Sequence, residues 1–333
     1  MNASAPATGT PSAAPRVATA APAVPTATRG LLLFGAFVAA MLIAPHVGGY
    51  PVFLMKLLCF ALFACAFNLL IGYVGLLSFG HAMFFGMAAY VSAHGTKFWG
   101  WTPEVAILGG AATAAVLGLV TGSLAIRRQG IYFAMVTLAL SQMVFFFCLQ
   151  APFTGGEDGI QSVPRRAILG VVDTKSDLAM YYFVLAIFVL GFVIIHRTIN
   201  SPFGQVLKAI RENEPRAISL GYDTTRYKFM AYVLSATLAG LAGATKALVF
   251  QLASLTDVHW TMSGEVVLMT LLGGLGTLFG PVVGAAVIIT MQNYLAQLGA
   301  WVTVVQGVIF VICVLTFRRG IVGELARILR KPL

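Results

Sequence analysis

Charge is scarce in this sequence. Asp, Glu, Lys and Arg make up 10% of its 333 residues, where a soluble globular domain carries about 25%. Hydrophobic residues reach 59% and the mean hydropathy is +0.90. Water-soluble folds do not sustain such values, which excludes a soluble enzyme, a disordered chain and a nucleic-acid module. Acidic residues are scarcest: 11 against 21 Lys and Arg, a net charge of +10. In a lipid-embedded chain that surplus belongs to cytoplasmic loops and lipid headgroups, so the implied partner is membrane lipid and not nucleic acid.

Reactive chemistry is equally thin. The four cysteines, Cys59, Cys65, Cys148 and Cys313, all lie in apolar runs, without CxxC spacing or histidines at metal-ligand distance. They read as small packing residues, and neither metal nor cofactor is expected. A phosphate-cradling GxxxxGK[ST] is missing: the nearest Lys-Ser, Lys175-Ser176, follows Thr174 and not a glycine. The glycine-rich GGLGTLFG at 273–280 lacks GxGxxG spacing and lies between apolar runs. Acids at mid-span, which ion-coupled carriers use, are missing too. Lys56, Lys246 and Glu265 fall near predicted span ends, where long side chains snorkel toward water. No catalytic residue is assigned.

What remains is apolar and continuous, so helices and not the alternating strands of a barrel. A helix crossing the membrane needs about 20 residues, which leaves room for roughly eight to ten. Ten spans are read, at about 31–45, 51–72, 79–95, 103–125, 131–150, 179–197, 229–250, 263–274, 280–298 and 301–317. The first and eighth are short. Residues 1–29 form an Ala/Pro/Thr tail expected to be disordered, 30–317 a membrane domain, and 318–333 a basic tail.

Basic residues cluster at Arg127-Arg128, in the loop 198–228 and in the C-terminal tail. Ten spans with the N-terminus inside place all three clusters, and both termini, in the cytoplasm. The segment 151–178, with no basic excess, then lies outside.

The loop 198–228 is the most informative segment. Ser201 can cap a helix with Pro202 in its first turn. Phe203, Val206, Leu207 and Ile210 then make one apolar stripe. Pro215 is expected to break the run, and a second short helix, Arg216 to Leu220, to end at Gly221. Such an element is either an interfacial helix on its own bundle or a docking element for a cytoplasmic partner. The chain reads as a pathway without a motor. The rival classes are a stand-alone facilitator or ion-coupled carrier of small polar solutes, and a non-transport subunit of a redox or assembly complex.

Five ordered segments resemble one family, the membrane permeases of branched-chain amino acid ABC importers of the LivM/LivH type. They are NLLIGYVGLLSFGHA at 68–82, GIYFAMVTLA at 130–139, TGGEDGI at 154–160, SPFGQVLKAIRENEPRAISLG at 201–221 and GGLGTLFGP at 273–281. One departure is Arg216-Ala-Ile-Ser-Leu-Gly221, where the family often has further alanines.

The resemblance implies an all-α, polytopic fold of about ten transmembrane helices, the type II importer architecture of cobalamin and iron-siderophore permeases. It implies a bacterial inner-membrane location and four kinds of contact: two cytoplasmic ABC ATPase subunits, a second homologous permease, an extracytoplasmic solute-binding protein and lipid. ATP hydrolysis is then expected in a separate chain, and branched-chain or related amino acids as cargo. The coupling residues would be Phe203, Leu207, Arg211, Glu212, Glu214, Arg216, Leu220 and Gly221. Breaks at 72–80 and 273–280 can unwind helices at depth and expose backbone to a zwitterion, with Ser78, His81, Gly274, Gly276 and Thr277 as pathway candidates. The same glycines equally serve tight helix packing. Glu157 and Asp158 either face the binding protein or lie on an ordinary solvated loop.

Overall fold

A computed structural model describes residues 26–167, 176–295, 299, 301–316 and 320–328. The proposed disordered tail thus lies almost wholly outside the described residues, as do the ends of the C-terminal tail. Each of the ten apolar runs forms a helix: α1 (Thr26–Ile43), α2 (Pro51–Tyr73), α3 (His81–Lys97), α4 (Pro103–Ala125), α5 (Ile131–Gln150), α6 (Asp177–Asn200), α9 (Thr224–Phe250), α11 (Trp260–Gly273), α12 (Gly280–Leu295) and α13 (Trp301–Thr316). Between α6 and α9 lie α7 (Pro202–Glu212) and α8 (Glu214–Ser219). A short α10 (Leu255–Val258) precedes α11, and α14 (Gly320–Ile328) follows α13. Two-residue strands β1 (Ile160–Gln161) and β2 (Leu252–Ala253) pair antiparallel, Ile160 opposite Ala253.

Among the described residues, five helices (α2, α4, α5, α6 and α9) are long and apolar enough to cross a membrane unaided. Two interruptions shorten α3, α11 and α12. The chain is non-helical from Gly75 to Gly80 before α3, and again from Gly274 to Phe279 between α11 and α12. The helices alternate in direction. The ends of α2 and α11 and the start of α12 share one face with α7 and α8, where Arg211 reaches Gly72 and Gly276. The ends of α3, α5 and α9 gather on the opposite face, where His94 Nδ1 lies 3.0 Å from the Phe153 carbonyl and Arg165 donates to the Val249 carbonyl at 2.9 Å.

The core is built around α2, which is buried on nearly every side and flanked by α6, α9, α11 and α12. Close approach of α9 to α3 and α4 follows from small residues. A Cβ on Gly118 would stand 2.8 Å from that of Ala236, and one on Gly110 2.7 Å from that of Ala244. The outer surfaces of α4, α5 and α13 expose Leu108, Val116, Met135, Met143, Phe146 and Val311. Apolar surface of this extent suits hydrocarbon and not water.

The C-terminal segment read as a basic tail contains α14. Its first residue, Gly320 (φ +75°), sits directly against the backbone of Gly273 and Gly274, an approach open only to glycine.

Candidate functional site

The α7–α8 element forms as its residues dictate. The Ser201 hydroxyl accepts from the Gly204 amide at 3.3 Å, with Pro202 in the first turn. Val206, Leu207 and Ile210 are buried, and Phe203 stacks on Tyr227 with centroids 5.5 Å apart. The break falls at Asn213, two residues before Pro215. Asn213, extended at φ −157°, ends α7, and its side chain caps α8 by accepting from the Arg216 amide at 3.1 Å. Pro215 is accommodated in the first turn of α8, where no intrahelical N–H is needed. Gly221 takes the left-handed conformation, φ +89°, expected of a helix-ending glycine.

The eight coupling candidates divide between two faces. Leu207, Phe203 and Glu214 turn inward, while Arg211, largely exposed, reaches back to the bundle with its guanidinium tip. Glu214 Oε1 accepts from Lys228 Nζ at 2.6 Å and from Thr224 Oγ1 at 3.1 Å, so it anchors α8 to α9. Arg211 Nη1 donates to the Gly72 carbonyl at the end of α2. Lys208 adds a cation–π contact, 5.8 Å above the Tyr73 ring. Glu212, Arg216, Leu220 and Gly221 remain exposed. Ile218 (55% exposed) and Tyr222 (41%) join them, giving an apolar knob ringed by charge. Both lie beyond α7, so its inward-packing stripe does not mark them. Their signal was an apolar side chain on a solvated stretch that has no need of one.

Asn68, which nothing in its sequence neighbourhood marks, ties α2 to the 274–279 break. Its Nδ2 donates to the Thr277 carbonyl at 2.9 Å and its Oδ1 accepts from the Gly276 amide at 3.1 Å. A Cβ on Gly276 would stand 2.9 Å from Arg211 Nη1. Gly276, taken as a pathway candidate, therefore meets the coupling candidate Arg211, and Asn68 binds both Gly276 and Thr277 beside it. Thr277 Oγ1 donates to the Gly274 carbonyl at 2.8 Å and accepts from the Gly280 amide at 3.1 Å, closing the loop on itself.

The 75–80 break lies deeper, between α5, α9 and α11. Hydroxyls satisfy its backbone: Thr137 Oγ1 accepts from the Phe79 amide at 3.2 Å, Ser78 Oγ from the Gly80 amide at 3.2 Å, and Ser263 Oγ from the Ala82 amide at 2.9 Å. Irregular backbone at such depth persists only where it is satisfied in this way. Ser78 and His81 are both fully buried. His81 Nε2 lies 2.8 Å from Ser235 Oγ, which donates to the Ala66 carbonyl at 2.6 Å. The rings of Phe67 and Phe84 stand edge-on to His81. In this conformation Ser78 and His81 are packed groups in a polar cluster.

Glu157 and Asp158 are exposed on a 3-10 turn at the face opposite α7–α8. The turn is held by the β1–β2 pair and by Thr154, whose hydroxyl lies 2.6 Å from the Ala151 carbonyl.

Residues 50–314 match the family described as "Branched-chain amino acid transport system / permease component". The chain is 26% identical over 282 residues to the high-affinity branched-chain amino acid transport system permease protein LivM of Salmonella typhimurium, covering 76% of this chain and 65% of that protein. It thus spans just under two-thirds of that relative's length. It is 30% identical over 179 residues to a probable LivM of Methanocaldococcus jannaschii, about half of each chain (51% and 51%). A ribose import permease protein, RbsC, of Bacillus subtilis is 30% identical over 196 residues, covering 54% of this chain and 58% of that one. No solved structure matches the chain. The extent of the family match, across all the helices that build the site, places the chain in the family of branched-chain amino acid transport permease components.

Proposed function

We propose that the chain is the membrane permease subunit of an ABC importer, passing branched-chain or related amino acids inward while separate chains hydrolyse ATP. The α7–α8 face is cytoplasmic in this reading, both termini lie inside, and residues 30–317 occupy the bacterial inner membrane. Two ATPase subunits dock on α7–α8, and a second homologous permease packs beside the bundle. A solute-binding protein meets the opposite face near Glu157 and Asp158. The reading rests on one observation, the divided face of α7–α8. Its inner side is fastened to the bundle through Arg211 and Glu214, while Glu212, Arg216, Ile218, Leu220 and Tyr222 are left facing solvent. An ATPase that changes shape would push on the outer side. Arg211 and Asn68 would carry the displacement to α2 and the 274–279 loop, because packed elements shift between discrete arrangements.

The test separates docking from transmission. Arg216→Glu with Leu220→Asp should release the ATPase on purification while membrane insertion survives. Arg211→Met should retain the ATPase and lose vanadate-sensitive uptake. Normal uptake in both variants would defeat the reading. Gradient-driven uptake by the chain alone in liposomes would favour the facilitator instead.

A further inference from the structure

Four charged side chains converge on one cavity at the face opposite α7–α8. Lys56 enters from α2, Lys246 from α9, Asp257 from α10 and Glu265 from α11, around a space of about 350 Å³. Ionisable groups within membrane segments are costly and mark functional sites by default. Position along the spans suggested snorkelling for Lys56, Lys246 and Glu265. The structure turns all three into a shared cavity within the bundle.

The four charges are not equivalent. Lys246 Nζ bonds both carboxylate oxygens of Asp257, at 2.8 and 2.7 Å, and Asp257 also accepts from the Ser254 hydroxyl at 3.3 Å. That pair is internally satisfied and forms a rigid floor. Lys56 takes no part in the ion pairs or hydrogen bonds of the described residues. Glu265 accepts one hydrogen bond, from Gln292 Nε2 at 3.3 Å. An ammonium has three donors and a carboxylate about four acceptor sites, so one cation and one anion on the same wall keep most of their capacity open. Phe60, Phe250 and Met262 supply an apolar wall beside them. The volume lies within the range of small-ligand pockets.

We propose that this cavity is an outer subsite for a free α-amino acid zwitterion, with Lys56 on the α-carboxylate, Glu265 on the α-ammonium and the side chain against Phe60, Phe250 and Met262. A ligand carrying both charges satisfies both groups at once, and the apolar wall favours an uncharged side chain. The inference deepens the importer reading and rests on it for the substrate class. A second cavity of about 750 Å³ shares Lys56 and Phe250 and is bordered by Tyr50, Asn293 and Tyr294, extending the subsite toward the surface.

The experiment uses the permease with its co-purifying chains in lipid nanodiscs. Met262→Cys is labelled with a small methanethiosulfonate, with the parent chain labelled in parallel for background. The probes are L-leucine, L-leucinamide, which lacks the carboxylate, and 4-methylpentanoate, which lacks the ammonium. L-Leucine should slow labelling, and each one-charge analogue should protect about tenfold more weakly, the worth of one charge-assisted bond. Adding Lys56→Gln should erase the advantage of leucine over leucinamide, Glu265→Gln its advantage over 4-methylpentanoate, and Lys56→Arg should preserve both. Equal protection by all three probes, no protection by leucine, or a cysteine that no reagent reaches would each overturn the subsite. The importer reading is scored separately, by whether the parent preparation contains a vanadate-sensitive ATPase.

Discussion

Asn68 and Thr277 lie 209 residues apart in sequence and 2.9 Å apart in space, joined by the Asn68 amide and the Thr277 carbonyl. The same side chain accepts from Gly276, so one amide holds a non-helical loop against the last turns of a buried helix. Asn68→Leu keeps the volume and removes both bonds, leaving a carbonyl and an N–H unpaired in a site that is 3% exposed at residue 68. The expected cost is about 2–4 kcal/mol. A lower midpoint of thermal unfolding in detergent would register it, and an unshifted midpoint would show that water replaces the amide.

Glu214 and Glu212 look alike in sequence and differ in the fold. Glu214 holds Lys228, which is 6% exposed, at 2.6 Å, whereas Glu212 is exposed. Removing one partner of a mostly buried pair strands the other charge. Glu214 itself is 22% exposed, so solvent screens part of that cost. Glu214→Ala should therefore destabilise α7–α8 by about 1–3 kcal/mol, while Glu212→Ala stays within about 0.5 kcal/mol. Hydrogen exchange across residues 202–221 resolves the two, with faster exchange confined to the Glu214 variant.

Local pattern carried most of the architecture. The ten apolar runs, the caps of α7, its buried stripe and the left-handed Gly221 all depend on neighbours within a turn or two, where periodicity and capping speak directly. What stayed hidden depends on distance. Nothing near Asn68 marks it as the partner of a loop 200 residues onward. The inward turn of Glu214 depends on Lys228, placed there only once α9 packs. Lys56 and Glu265 sit at span ends by sequence, and their shared cavity exists only when α2 and α11 are neighbours. Helix α14 was missed because nine amphipathic residues beside a cluster of arginines read equally well as a solvated tail.

Glycines in this bundle are not interchangeable, and the sign of a substitution follows from the space each one faces. Gly264 lies within α11 with open space where a Cβ would point. Gly264→Ala should stabilise by up to about 1 kcal/mol through helix propensity alone. Gly118 faces Ala236 across the α4–α9 contact, with 2.8 Å available. Gly118→Ala forces those helices apart and should destabilise by about 1–3 kcal/mol. Thermal unfolding of the two variants in one detergent should move in opposite directions; a shared direction would mean that α4 and α9 do not meet at Gly118.

The His81–Ser235 contact makes a sharper, non-additive prediction. Because the Ser235 hydroxyl donates to the Ala66 carbonyl, it accepts from His81, which fixes the proton on Nε2. Ser235→Ala then strands a buried N–H among Phe67, Phe84 and Tyr232, at a cost of about 1–3 kcal/mol. His81→Phe removes the same donor and leaves the serine hydroxyl free to keep its bond to Ala66. Once His81 is gone, losing Ser235 strands nothing further, so the double variant should be less destabilised than the sum of the singles by about 1–2 kcal/mol. A double-mutant cycle on unfolding midpoints measures that coupling directly. Strict additivity would mean that the histidine proton points elsewhere, toward Nδ1, the ring nitrogen that has no partner among the described residues.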